Sequence, residues 1–107
     1  MNNNKIFGLL KISSNGLCNF YKKLDHSNKN FDPQIISGFF YAVDKFIQDF
    51  IGENIVEIKT LNYKIIFKKF NDEINVYFVN NDFTDYSQLN NKIFDSPNYL
   101  LSNIIAI

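Results

Sequence analysis

Between Asp32 and Gly52 the apolar residues recur at three- and four-residue intervals, while on either side they alternate or run in short blocks. The first pattern is that of an amphipathic helix and the second that of strands. Lys5–Ser13 predicts a strand with both faces apolar, Ile6, Leu10 and Ile12 with Gly8 on one and Phe7 and Leu9 on the other, which places it inside a sheet. Ser14-Asn15-Gly16 predicts a hairpin turn, because Asn and Gly both tolerate positive φ. Leu17–Leu24 is the returning strand, with Tyr21-Lys22-Lys23 giving it the polar character of an edge.

Asp25–Phe31 is a polar loop. Asp32 then caps the helix, Pro33 opens it and Gly52 closes it. The spacing assigns Ile36, Phe39, Phe40, Val43, Phe46, Ile47 and Phe50 to the buried side, and Gln34, Ser37, Tyr41, Asp44, Lys45, Gln48 and Asp49 to the wet side. Three strands follow as a meander: Asn54–Thr60, Tyr63–Phe70 and Ile74–Val79, the last apolar on both faces. Asp82 or Thr84 is placed to cap a helix carrying Phe83, Tyr86, Leu89, Ile93 and Phe94, and Ser96-Pro97 to begin a short final helix, Asn98–Ile107. A hairpin and a meander joined by one crossover helix predict an α/β fold of the α+β type. Its five strands form an antiparallel sheet in the order 2-1-5-4-3, with the two doubly apolar strands at the centre.

Composition changes this picture little. The 107 residues suit one domain, and with 46% hydrophobic residues, 12 Phe and 6 Tyr the chain has ample material for a core. Eleven basic residues balance eleven acidic ones, so no charge excess points to nucleic acid or to an anionic membrane. A single cysteine, Cys18, permits no disulfide within the chain. The apolar patch Ile6–Leu10 is too short for a signal-peptide core or a span, and the C-terminal YLLSNIIAI has about half the length a spanning helix needs. The cytoplasm is the expected location, with no insertion into a membrane.

Candidate chemistry is sparse. His26, beside Asp25 in the polar loop, is the sole histidine, and with Cys18 in a strand the two make a poor nucleophile–base pair. One Cys and one His cannot build a four-ligand zinc site, and Asn80-Asn81-Asp82 with Asp85 lacks the spacing of a calcium loop. Four scattered glycines form no phosphate-binding turn. Lys64, Lys68 and Lys69 with Tyr63 and Phe67 resemble a base-stacking strand, but Glu57, Asp72 and Glu73 lie close in sequence and a solvated sheet face accounts for them better. Phe39, Phe40, Phe46, Phe67 and Phe78 are candidates for the lining of a ligand cavity between helix and sheet. No catalytic residue, cofactor or metal is expected.

The remaining reading is a protein interface. The Ile55–Thr60 strand falls at a sheet edge, where Val56 and Ile58 leave it unguarded against pairing with another chain. Gly38 and Ala42, four apart, permit close packing, either on the chain's own sheet or on a partner. Gln34, Ser37, Tyr41 and Asp44 on the helix, with Val56, Glu57, Ile58 and Thr60 on the edge, are the expected contact residues.

Taken together, the Asn15-Gly16 hairpin, the segment Phe31-Asp32-Pro33-Gln34-Ile35-Ile36-Ser37-Gly38-Phe39 with Ala42 and Phe46, and the meander Ile55–Val79 resemble the longin and roadblock superfamily of small profilin-like domains. The resemblance covers roughly Lys5 to Phe94, and the order of elements is closer to longin than to roadblock. It implies a non-enzymatic domain that forms homo- or heterodimers and serves as a platform for small GTPases or vesicle-trafficking complexes. A longin domain carries two substantial C-terminal helices where this chain has a short broken segment. The second sheet face is therefore expected to be thinly covered, or covered by a partner. Profilin-like folds also include small-molecule sensors, which keeps the aromatic cavity as the alternative.

Overall fold

A computed structural model describes residues 4–23 and 32–89. The order is β1 (Ile6–Ile12), β2 (Cys18–Lys23), α1 (Pro33–Ile51), β3 (Glu57–Lys59), β4 (Tyr63–Phe70), β5 (Glu73–Asn80) and a single 3-10 turn, Tyr86–Gln88. The strands form one antiparallel sheet in the order β2-β1-β5-β4-β3, as the burial pattern predicts. The short final helix expected over Asn98–Ile107 lies outside the described residues, as do His26 and the loop that holds it.

The sheet buries both faces. Toward α1 it presents Leu10 and Ile12 of β1, Val76 and Ile74 of β5 and Phe67 of β4, with Phe40 wedged among them from the helix. Phe40 meets Phe67 edge-on with ring centres 5.1 Å apart. On the opposite face Leu9, Tyr77, Val79 and Ile66 pack with Phe83 and Leu89, all within one cluster. That second face is closed rather than thinly covered, as Tyr77, Val79 and Leu9 have no solvent exposure.

Lys64 helps to close it. Its side chain is buried on the second face, and Nζ donates to the Phe83 carbonyl at 2.8 Å and to Tyr86 Oη at 3.0 Å. Tyr86 Oη in turn donates to Glu57 Oε1 at 3.2 Å. One strand lysine thus latches the 83–89 segment to β4 and β3. Asn4 completes the latch, its side-chain oxygen accepting from the backbone N–H groups of Thr84 and Asp85 at 2.7 and 3.2 Å. The capping expected of Asp82 or Thr84 is supplied from the other end of the chain, and within the described residues a single 3-10 turn stands where a helix was expected.

The two hairpins differ from expectation in an instructive way. In the first, Gly16 alone takes a positive φ, 85°. Its N–H bonds to the Ser13 carbonyl at 3.0 Å, and the register shifts by one residue near Ile12. This is a type I turn followed by a left-handed residue, not the two-residue turn that Asn-Gly suggests. The two-residue turn occurs between β4 and β5, where Asn71 and Asp72 both have positive φ, 51° and 69°, and Phe70 faces Glu73. Short polar side chains tolerate that region without being glycine.

Gly16 also touches the helix, since a Cβ there would lie 3.1 Å from the Tyr41 ring. Gly38, in mid-helix, has nothing among the described residues within 4 Å of such a Cβ. The two glycines should therefore respond oppositely to alanine. In urea titrations Gly16→Ala should cost about 1–3 kcal/mol through φ strain and crowding. Gly38→Ala should gain about 0.5–1 kcal/mol from helix propensity alone.

Candidate interaction surface

The helix is where sequence and structure part. Asp32 caps it, its carboxylate accepting from Gln34 N–H at 2.8 Å, and Gly52 ends it in the left-handed conformation with its N–H on the Gln48 carbonyl. Between these caps the side facing the sheet is the line Ser37, Phe40 and Asp44, all buried. Phe39, Phe46 and Phe50, expected inside, are exposed by 59%, 59% and 77%. The helix is rolled roughly a quarter turn from the orientation that maximises apolar burial.

Specific polar contacts set that roll. Asp44 accepts from Lys69 Nζ of β4 at 2.7 Å, from Gln48 Nε2 at 2.6 Å and from the Ile55 N–H at 3.4 Å. Lys69 also donates to Asn54 Oδ1 at 3.1 Å. At the other end Gln34 bridges to the first hairpin. Its Oε1 accepts from the Cys18 N–H at 2.9 Å, and its Nε2 donates to the Gly16 carbonyl at 3.2 Å. Ser37 needs no partner to fit: its Oγ is buried with no hydrogen bond among the described residues, and its small size lets the helix lie close.

These positions correct most of the expected contact set. Ser37 and Asp44 are interior and cannot meet a partner. Gln34 is tied to the hairpin, and Tyr41 is half-buried against Gly16 with the Lys45 ammonium 5.6 Å from its ring centre. Thr60 closes the β3–β4 turn, its N–H on the Tyr63 carbonyl and its Oγ1 accepting from the Tyr63 N–H. Glu57 belongs to the Lys64 latch, and Ile58 is half-buried in the cluster under the helix. Gln34, Val56 and Thr60 are the exposed members of the set, and of these Val56 is the apolar one.

The edge strand is shorter than the Asn54–Thr60 run suggests. The Ile55 N–H and the Asn54 side chain are taken by Asp44 and Lys69, so regular pairing begins at Glu57, preceded by one bond from the Phe67 N–H to the Val56 carbonyl. The three strand lysines do not share a face either. Lys64 and Lys68 alternate with Lys69, which points to the helix side, and Lys64 is buried.

What the roll exposes is a continuous apolar stripe: Ile35, Phe39, Ala42, Phe46 and Phe50, with Ile51 beyond. The Phe46 and Phe50 rings lie 5.0 Å apart. From Ile35 to Phe50 the stripe runs roughly 22 Å at about 1.5 Å per residue. The sequence signal for it was the width of the apolar arc. Adding Ile35 and Ala42 to the predicted face makes the helix apolar over about half its circumference, which is wider than one sheet can cover. Beside the helix lies an open pocket of about 320 Å³, and its walls are polar, including Tyr41, Asp44, Lys45, Gln48 and Lys69. Of the five rings considered for an aromatic cavity, Phe39 and Phe46 face solvent and Phe40 packs on Phe67.

Among the described residues no group of three or more His, Cys, Asp or Glu is placed to hold a metal ion, and no helix is long and apolar enough to cross a membrane. No family model matches the chain, and no curated protein is significantly similar to it.

Two substitutions at buried polar positions separate holding from filling. Asp44→Ala should cost about 2 kcal/mol in chemical denaturation, because it strands the Ile55 N–H and Gln48 amide while Lys69 can turn to water. Ser37→Ala should leave stability unchanged or raise it by up to about 1 kcal/mol, since it removes an unmatched hydroxyl from the interior.

Proposed function

We propose that this chain is a non-enzymatic protein–protein interaction module of longin-like type. It would scaffold a small GTPase or another longin- or roadblock-type subunit in an assembly of the vesicle-trafficking kind. The observation that carries the reading is the outer side of α1, where three phenylalanines and an isoleucine lie in one row in solvent. Scattered apolar residues on a surface are ordinary, but a contiguous row of large ones marks a binding surface. Phenylalanine is among the side chains enriched where proteins meet. The strand order and the single crossover helix are those the longin resemblance leads one to expect. Val56, exposed at the entry to β3, adds a second apolar point near the sheet edge.

Affinity capture from the cells that express the chain tests this. Phe50→Glu alters a fully formed but solvent-facing position, so the fold should survive. Proteins recovered with the native chain should fall about tenfold or more with the variant, as expected when an aromatic anchor worth about 2 kcal/mol is lost. Recovery of the same proteins in equal amounts by both would refute the outer face as the working surface. Val56→Lys, at the exposed entry to β3, then reports whether that edge contributes.

A further inference from the structure

We propose that the polar recess beside α1 binds a small zwitterion of the α-amino-acid class, held between Lys45 and Asp72. The proposal goes beyond the interaction surface and does not depend on it. Tyr41, Lys45 and Gln48 lie on the flank of the helix away from Phe39, Phe46 and Phe50.

The recess forms where three elements converge. Ile12 faces Ile74, so the turn that holds Ser14 and the turn at Asn71-Asp72 stand at the same end of the sheet. The helix passes beside both, and together they bound about 320 Å³. That lies at the small end of ligand sites, which run from about 300 to 1,000 Å³. It has room for an amino acid and not for a nucleotide.

The charges in it are divided. Asp44 and Lys69, 2.7 Å apart, neutralise each other within the fold. Lys45 and Asp72 line the same space, and neither takes part in an ion pair. Opposite charges that share a recess without meeting suit a ligand carrying both, its carboxylate toward Lys45 and its ammonium toward Asp72. Lys69 uses two of its three N–H donors on Asp44 and Asn54, which leaves one for the same carboxylate. Ser14, Tyr41 and Gln48 complete the lining. Among the described residues their two hydroxyls and the Gln48 side-chain carbonyl have no hydrogen-bond partner. A simple anion would meet Asp72 and Asp44, and a simple cation Lys45 and Lys69, so each is disfavoured against a molecule of both signs.

The β4–β5 turn supplies a second observation. Asp72 holds φ at 69°, where a two-residue hairpin favours glycine. Its carboxylate makes no hydrogen bond or ion pair in the fold. Nothing in the chain's own structure accounts for a side chain at this strained position, whereas a ligand does.

Titration of the isotope-labelled full chain with glycine and L-serine, followed by heteronuclear NMR, tests the assignment. Concentrations should reach about 10 mM, because a site open to solvent holds so small a ligand modestly. Saturable shifts are expected at the amides of Ser14, Tyr41, Lys45 and Asp72. N-acetyl-L-serine lacks the ammonium and L-serinamide the carboxylate, and each should bind about tenfold or more weakly, as loss of one charged hydrogen bond implies. Lys45→Met and Asp72→Gly should each weaken L-serine by about the same factor with circular dichroism unchanged. Asp72→Gly should also leave the thermal midpoint equal or higher, which separates a carboxylate kept for a ligand from one kept for the turn. The absence of saturable shifts at these amides with both amino acids overturns the proposal. So does equal binding of either singly charged analogue, or binding that both substitutions leave intact. A midpoint that falls in Asp72→Gly would overturn the part given to Asp72.

Discussion

The roll of one helix about its own axis decides what this molecule shows to its surroundings. α1 carries more apolar surface than the sheet can take, so burial alone leaves its orientation loosely determined. The carboxylate of Asp44 removes that freedom. Held by Lys69 of β4, by Gln48 and by the Ile55 N–H, it turns inward, while Gln34 fixes the other end of the helix to the first hairpin. A buried ion pair adds little net stability compared with apolar residues of the same size, but it discriminates sharply between arrangements that burial treats alike. Here it selects the arrangement in which Phe39, Phe46 and Phe50 face water.

That selection explains why so much of the fold was legible in the sequence and so little of the surface. Strand order followed from two local facts: β1 and β5 are apolar on both faces, and the helix is long enough to cross the sheet. Both caps of α1 were legible because capping is a property of single residues, Asp32 and Gly52. The roll was not, because it depends on a pairing between Asp44 and Lys69, 25 positions apart. The helical period ranks residues by hydrophobicity, and on that scale an aspartate can only be outside. The same limit hid Lys64, whose partners, Phe83 and Tyr86, gather around it only in three dimensions. The Asn15-Gly16 turn misled differently, since its dipeptide fits more than one hairpin and the helix contact at Tyr41 bears on the choice.

The two faces of the sheet are finished in contrasting ways. One is sealed by the chain itself, with Lys64 and Asn4 tying the 83–89 segment across Tyr77 and Val79. The other is covered by a helix that is itself only half covered. An outward apolar row on the covering layer costs solubility unless it is met, and the chain spends no charged side chain on breaking it. Asp49 and Lys45 stand at its border and not within it.

The central pair of strands has a consequence for how the protein is made. β1 lies between β2 and β5, and Ile6 and Ile12 face Val79 and Ile74 across more than sixty residues of chain. As the polypeptide leaves the ribosome, β2 and α1 emerge long before the strand that completes the middle of the sheet. Until β5 arrives, the helix has only two separate two-stranded hairpins, β1–β2 and β3–β4, to lie on, each marginal by itself in water. Closure across so long a loop is slow compared with local pairing. The nascent chain therefore passes through an interval in which both sides of α1 are bare, and synthesis near other copies of itself places its greatest risk of aggregation there.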